Sequence, residues 1–267
     1  MDENQIILID KPAGISSFDV VAKVRGFLKQ KYGHKIKVGH TGTLDPFATG
    51  LLILLTGQMT KKSNEFLKKD KVYEATLKLG FTSTTGDPEG EIEEVTFSKH
   101  GEVFPQEKPS DSPDFYNISP LKNSVSEANI KNFSEAEHVV KINPREYYPS
   151  FEKVTSLVNS FVGKITQTPP KFSAIKINGE RAYKLARKGT DFEIPSREVE
   201  IYSIDVLDYN YPELTIRCHV SSGTYIRTLA EDIGKKLGTG AYLTALRRTK
   251  IADYDVKDAS ALSEFVL

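Results

Sequence analysis

The residue types best suited to covalent chemistry stand between positions 38 and 52, where the chain reads VGHTGTLDPFATGLL. Gly39, Gly42 and Gly50 permit backbone angles and close approaches that other residues resist, which marks a loop shaped for a purpose. Asp45 precedes Pro46; the proline fixes its own φ and pushes Asp45 out of the helical region, so the carboxylate stands on a stiff corner. From Val20 to Asn64 Asp45 is the only acid, against Lys23, Arg25, Lys29, Lys31, Lys35, Lys37, Lys61 and Lys62. Cations nearby favour the charged carboxylate, and an ionised, positioned carboxylate can act as a nucleophile that forms a covalent intermediate. The bland use of the same Asp-Pro pair is an Asx turn or a helix cap. A phosphate cradle is excluded: Gly42 and Gly50 lead into Thr43-Leu44 and Leu51-Leu52, where a Walker loop needs lysine followed by Ser or Thr.

Composition bounds the setting. At 267 residues the chain suffices for one large domain or two small ones. Its 39% hydrophobic and 27% charged residues are those of an ordinary globular protein. Lys and Arg number 36, as do Asp and Glu, so the basic balance expected of a nucleic-acid binder is missing unless charge is segregated, as it is around Asp45. Cys218 is the only cysteine, which excludes an intramolecular disulfide and fits a reducing compartment. No apolar run approaches the ~20 residues of a membrane span, and the N-terminus lacks a basic leader. The five histidines show no metal-ligand spacing with one another or with Cys218. A cytoplasmic protein without membrane, metal or cofactor is expected.

The elements that must position Asp45 follow from spacing. A strand is expected near residues 5–9, then a helix capped by Ser17, with Val20, Val24, Phe27 and Leu28 on one face and a stop near Gly33. Residues 59–68 read as helical. Residues 71–80 alternate, placing Tyr73, Ala75, Leu77 and Leu79 on one face of a strand. From about 96 to 145 periodicity fades among Pro105, Pro109, Pro113, Pro120 and Pro144, and a segment this long without pattern reads as a surface insertion. A helix follows from Phe151 to about Gly163. Asn178-Gly179 signals a tight turn, with a helix over 180–188. Residues 198–207 and 213–219 alternate as paired strands, and Ser221 to Gly234 reads as strand, glycine turn and helix.

Several blocks together resemble the TruB family of tRNA pseudouridine-55 synthases. The run GHTGTLDPFATGLL is similar to the family's signature loop, and Lys11 to Ser17 (KPAGISS) to its first motif. Residues 167–179 (QTPPKFSAIKING), Thr224-Tyr225-Ile226-Arg227 and Leu243 to Thr249 match further blocks, so the resemblance covers nearly all the chain outside the insertion. It implies the α+β pseudouridine synthase fold, with a mixed, largely antiparallel sheet flanked by helices and loops. One catalytic domain spanning 1–267 is expected, with the insertion at about 96–145 and no C-terminal RNA-binding (PUA-like) domain.

By the same resemblance the substrate is the T-arm stem-loop of tRNA, its uridine 55 is isomerised to pseudouridine, and the enzyme is a monomer. Asp45 is implied as nucleophile, Tyr73 as the ring stacked on the target base, Arg227 and Tyr225 as active-site residues, and Leu246 as the leucine packed on the base. His40 would fill the space a flipped base vacates. An arginine beside Asp45 could fork its oxygens and keep it charged, and Arg227 suits a helix N-terminus poorly as a mere surface cation. Lys171, Lys176, Arg181 and Lys184 are candidates for RNA-backbone contact, a solvated charged face being the plain alternative. Read from the residues alone, Tyr73 and Leu246 are equally ordinary core side chains. A glycosidase-like hydrolysis would need a second carboxylate, and none lies near Asp45 in sequence. Two other functions stay open: a non-catalytic tRNA-binding chaperone and a guide-RNA-dependent pseudouridine synthase.

Overall fold

A computed structural model describes residues 3–97, 103–104, 148–177 and 179–265, and in it β1 (Ile6–Lys11) turns into α1 (Ser17–Tyr32), β2 (Val38–His40) and β3 (Thr49–Thr56). The helix starts where its orphan N–H groups find acceptors. The Ser16 hydroxyl accepts from the Asp19 N–H at 3.1 Å, and the Asp19 carboxylate accepts from the Ser16 N–H at 3.0 Å. The cap is therefore Ser16, one residue before the expected Ser17. α1 closes on Gly33 in the left-handed region, φ 76°.

Gly57–Lys62 forms a 3-10 turn before α2 (Ser63–Leu67), so the helix expected over 59–68 is half realised. Next come β4 (Lys71–Leu79) and two short hairpins: β5 (Phe81–Ser83) with β6 (Ile92–Glu94), and β7 (Thr96–Phe97) with β8 (Val103–Phe104). Apart from those last two strands, the expected insertion lies outside the described residues. α3 (Phe151–Asn159) leads to β9 (Gly163–Gln167), the hairpin of β10 (Lys176–Ile177) with β11 (Glu180–Arg181), and α4 (Ala182–Arg187). Glu180 and Arg181 are spent on pairing with Ile177 and Lys176, which delays the helix expected at 180. Asn178 itself is outside the described residues. The chain continues through β12 (Arg197–Asn210), β13 (Glu213–Val220), α5 (Ile226–Leu237) and β14 (Ala241–Ile251) to β15 (Tyr254–Asp255) and β16 (Ser260–Ala261).

Ten of these strands make one sheet, in the order β16-β1-β3-β14-β4-β13-β12-β9, with β2 beside β3 and β15 beside β14. Pairings are antiparallel except β1 with β16 and β3 with β14. This is the mixed, largely antiparallel α+β architecture that the family resemblance implied. Burial explains the patterns. β4 alternates because one face only is sealed, by α3 and α5, with Tyr73, Ala75, Leu77 and Leu79 in that core. Leu51 to Leu55 show no alternation because β3 is covered on both faces. Leu52 and Leu54 pack under α1, whereas Leu51, Ile53 and Leu55 meet Phe66 and Ile251. Among the described residues no helix is long and apolar enough to cross a membrane.

Candidate active site

The loop bearing Asp45 is held from three sides. Ser17, free of the capping role, donates its hydroxyl to the Leu44 carbonyl at 2.9 Å and accepts the Leu44 N–H at 2.8 Å. The Gly14 N–H donates to the Pro46 carbonyl at 2.9 Å. Lys11 ends β1 with its ammonium buried, donating to the carbonyls of Pro12 (2.8 Å), Pro46 (3.1 Å) and Ala48 (2.7 Å). Burial pushes its pKa down to about 8, with the Asp45 charge pulling the other way. From β14, Arg248 donates Nε to the Leu51 carbonyl at 2.8 Å and Nη2 to the Gly42 carbonyl at 3.0 Å. That reach requires β3 and β14 to touch where Gly50 faces Arg248. Gly50 has φ +100°, and a Cβ there would strike the Arg248 backbone.

Arg227, the second residue of α5, brings its guanidinium to Asp45. Its Nε lies 3.2 Å from Asp45 Oδ2. Nη1 meets Asp87 Oδ2 and the Thr85 carbonyl, each at 3.0 Å, and Nη2 donates to the Phe172 carbonyl at 2.7 Å. The expected two-pronged grip on Asp45 is therefore replaced by a shared one. A guanidinium has five N–H donors in a plane, and here distant segments claim most of them. With 4% of its side chain exposed, Arg227 is locked in place, while Asp45 keeps 34% open.

Asp87 is the acid that sequence distance concealed. It accepts from the Thr85 hydroxyl at 2.6 Å and the Glu89 N–H at 3.0 Å. Its charge bears on the Asp45 pKa. Burial raises the Asp45 pKa, Arg227 opposes this, Asp87 raises it further, and Lys11 and Arg248 pull it down; the net direction is upward. Cations alone, the basis of the sequence expectation, do not set this carboxylate; loss of water outweighs them. Glu89 is raised too, by burial and then by Asp87 and Asp45.

Two cavities meet at Asp45 and Arg227. One, of about 460 Å³, is lined by Tyr73, Tyr225, Leu246, Lys71 and Arg248 as well. The other, of about 550 Å³, is lined also by His40, Phe18, Asp87, Arg181 and Tyr183. Tyr73 and Leu246 are each 8% exposed, so both belong to the core and to the cavity wall at once. The Tyr225 ring lies against the Arg197 guanidinium, 4.8 Å from centroid to Cζ. His40 lines the other cavity, and burial together with Arg248 and Arg181 lowers its pKa, which favours the neutral ring. Its Nδ1 accepts the Gly42 N–H at 3.4 Å.

The basic candidates separate. Arg181 lines the His40 cavity and donates to the Ala174 carbonyl. Lys171, Lys176 and Lys184 are exposed and line neither cavity, Lys171 pairing with Asp191 at 3.4 Å. Among the described residues no group of three or more His, Cys, Asp or Glu side chains could hold a metal ion.

With this geometry in view, the family assignment rests on extended matches. The model of the TruB family pseudouridylate synthase N-terminal domain matches residues 28–107 and 127–226. That of the tRNA pseudouridylate synthase B C-terminal domain matches 227–266. The chain belongs to the TruB pseudouridylate synthase family. The tRNA pseudouridine synthase B of Phocaeicola vulgatus is 38% identical over 98% of this chain and 92% of its own length. That of Aquifex aeolicus is 37% identical over 97% of this chain and 72% of its own. In solved structures, a chain of a Cbf5-Nop10-Gar1 complex superposes with TM-score 0.59 at 24% identity, over 98% of this chain and 53% of that one. A chain of an archaeal box H/ACA sRNP Nop10-Cbf5 complex gives 0.56 at 22%, over 99% and 53%. This TruB-family chain thus spans about half the length of those solved chains, and the likeness to them is one of fold.

Residue reading of this TruB-family chain missed Lys11, Asp87, Glu89 and Arg248. One signal was available. Gly86-Asp87-Pro88 repeats the stiff Asp-Pro corner of Asp45-Pro46. Lys11 and Arg248 instead look like ordinary strand-end cations until their carbonyl partners are located.

Proposed function

We propose that this chain isomerises a uridine of tRNA to pseudouridine, that the target is position 55 in the T-arm, and that Asp45 is the nucleophile. The observation that carries the reading is the Asp45–Arg227 contact at 3.2 Å where the two cavities join. Family membership supports the reaction class, and the likeness to tRNA pseudouridine synthases B supports tRNA as substrate.

The reaction breaks the bond between ribose C1′ and uracil N1, turns the base, and joins C1′ to C5. Asp45 attacks either C1′ or C6 of the base and is later released unchanged. The C5 hydrogen leaves as a proton, and N1 ends with a hydrogen, so atoms balance without redox chemistry or a group donor. A uridine in a folded loop is reached by flipping it out, at a cost of a few kcal/mol. Tyr73 stacks on it, Tyr225 and Leu246 close the sides, and His40 fills the gap left in the RNA. A closed site also keeps the detached base from water. Arg227 steadies the Asp45 carboxylate against the desolvation that would otherwise protonate it. Arg181 reaches the RNA backbone at the cavity, and Lys171, Lys176 and Lys184 do so from farther out. We read the described unit as one catalytic domain that acts as a monomer.

Tritium release from C5-labelled uridine in a bare T-arm hairpin tests the reading. The isolated wild-type chain should release tritium, and Asp45→Asn should not. A wild-type chain that binds the hairpin without releasing tritium would instead be an RNA chaperone, and one that requires an added guide RNA would be guide-dependent.

A further inference from the structure

We infer that Phe18 is a stacking platform for an unpaired base flanking the uridine that enters the catalytic cavity; this rests on the reading above and adds a specificity-determining contact to it. Phe18 is 65% exposed, the highest value among the exposed large hydrophobic residues of the described chain. A lone exposed apolar side chain is commonplace; its position is what sets this one apart. The ring stands in the first turn of α1, which the Ser16–Asp19 capping box makes rigid. Its neighbour Ser17 is joined by two hydrogen bonds to Leu44, itself the neighbour of Asp45. Phe18 and Asp45 are thus each one residue from the same joint, and the backbone at Phe18 is tied to the backbone beside the reacting carboxylate.

The surroundings select the occupant. Phe18 lines the cavity that also holds Asp45, His40, Arg181, Tyr183 and Arg187. The Arg187 guanidinium lies over the Tyr183 ring, 5.8 Å from its centroid. A pocket that offers an exposed aromatic face and guanidinium groups beside it suits a polyanion that carries flat rings. Single-stranded nucleic acid is that ligand, its bases stacking on aromatic faces and its phosphates meeting the arginines. Three carboxylates line this cavity as well: Asp45 and Asp87 are spent on Arg227, and the charge of Glu89 is set against Arg227 and Arg187.

Phe151 supplies an internal control. It is 52% exposed and also sits in the first turn of a helix, α3, but lines neither catalytic cavity. The experiment measures hairpin binding by fluorescence anisotropy, and KM and kcat by tritium release, for wild type, Phe18→Ala, Phe18→Leu, Phe18→Trp and Phe151→Ala. Loss of one stacked base should raise Kd and KM by about 5- to 150-fold in Phe18→Ala. Saturating kcat and the melting temperature should stay near wild type. Phe18→Trp should restore binding, Phe18→Leu should not, and Phe151→Ala should match wild type. The inference is overturned if Phe18→Ala binds and turns over like wild type, or if leucine serves as well as tryptophan. If wild type itself neither binds nor isomerises the hairpin, the functional reading falls and the platform falls with it.

Discussion

The cations under the catalytic loop and those on the segment 171–187 obey opposite rules. Lys11, Arg227 and Arg248 are buried, and each ends on carbonyls or carboxylates that frame Asp45. Lys171, Lys176 and Lys184 stand exposed outside both cavities, whereas Arg181, also exposed, lines one of them. A buried charge survives only if its hydrogen bonds are complete, so the first set is immobile and dictates geometry. An exposed charge costs little to keep and is screened by salt; the second set is suited to grip a phosphate backbone without defining a site. A net charge of zero hides this division, because it averages over both sets.

The comparison can be broken most severely at its centre. Asp45→Asn should lower tritium release by more than about 1,000-fold, as loss of a nucleophile does, while hairpin affinity measured by anisotropy stays within about threefold; equal loss of both would remove Asp45 from the chemistry. Arg227→Lys retains charge and forfeits the shared planar contacts. Charge-assisted hydrogen bonds of about 1.5–3 kcal/mol correspond to a kcat reduction of roughly 10- to 100-fold, with binding much less affected.

Removing a buried cation should register as instability. Lys11→Met strips the donors from three carbonyls, which should cost about 3 kcal/mol and lower the melting temperature by roughly 6–12 °C, as calorimetry would record. Lys184→Ala should do the reverse, leaving the melting temperature alone while weakening RNA binding about twofold to threefold and reducing the salt slope by about one. If the two variants behaved alike, the division into two sets would be wrong.

A pH profile sharpens the point further. The Asp45 pKa is raised above the ordinary 3.8, and a nucleophile must be ionised, so the acid limb of kcat/KM should lie above that value. Asp87→Asn removes a like charge and leaves Arg227 more available to Asp45. Both effects favour the ionised form, so the limb should move to lower pH. A limb that moves upward would show that Asp87 acts mainly by orienting Arg227.

Much of this was readable before any coordinates. The alternation over 71–79, the α1 face ending at Gly33 and the paired strands β12 and β13 are local patterns, set by spacing along a few residues. The corner at Asp45 was legible for the same reason, since proline constrains its immediate neighbour. Site residues drawn from blocks as far apart as 45, 73, 225, 227 and 246 do line one cavity. The helix expected from 180 fell short because pairing across the turn claimed its first two residues.

By itself, then, the sequence determined which residues carry reactive groups, which faces are apolar, and that the Asp45 corner is stiff. Only the tertiary structure decided what those groups experience. It set Asp87 against the same guanidinium as Asp45, buried Lys11 and Arg248 on main-chain carbonyls, and turned an expected cation-stabilised carboxylate into one raised by loss of water. The reason is that desolvation and charge act through space, over a few ångströms between segments more than 200 residues apart such as Gly42 and Arg248 (206 positions), whereas pattern reading sees only neighbours along the chain.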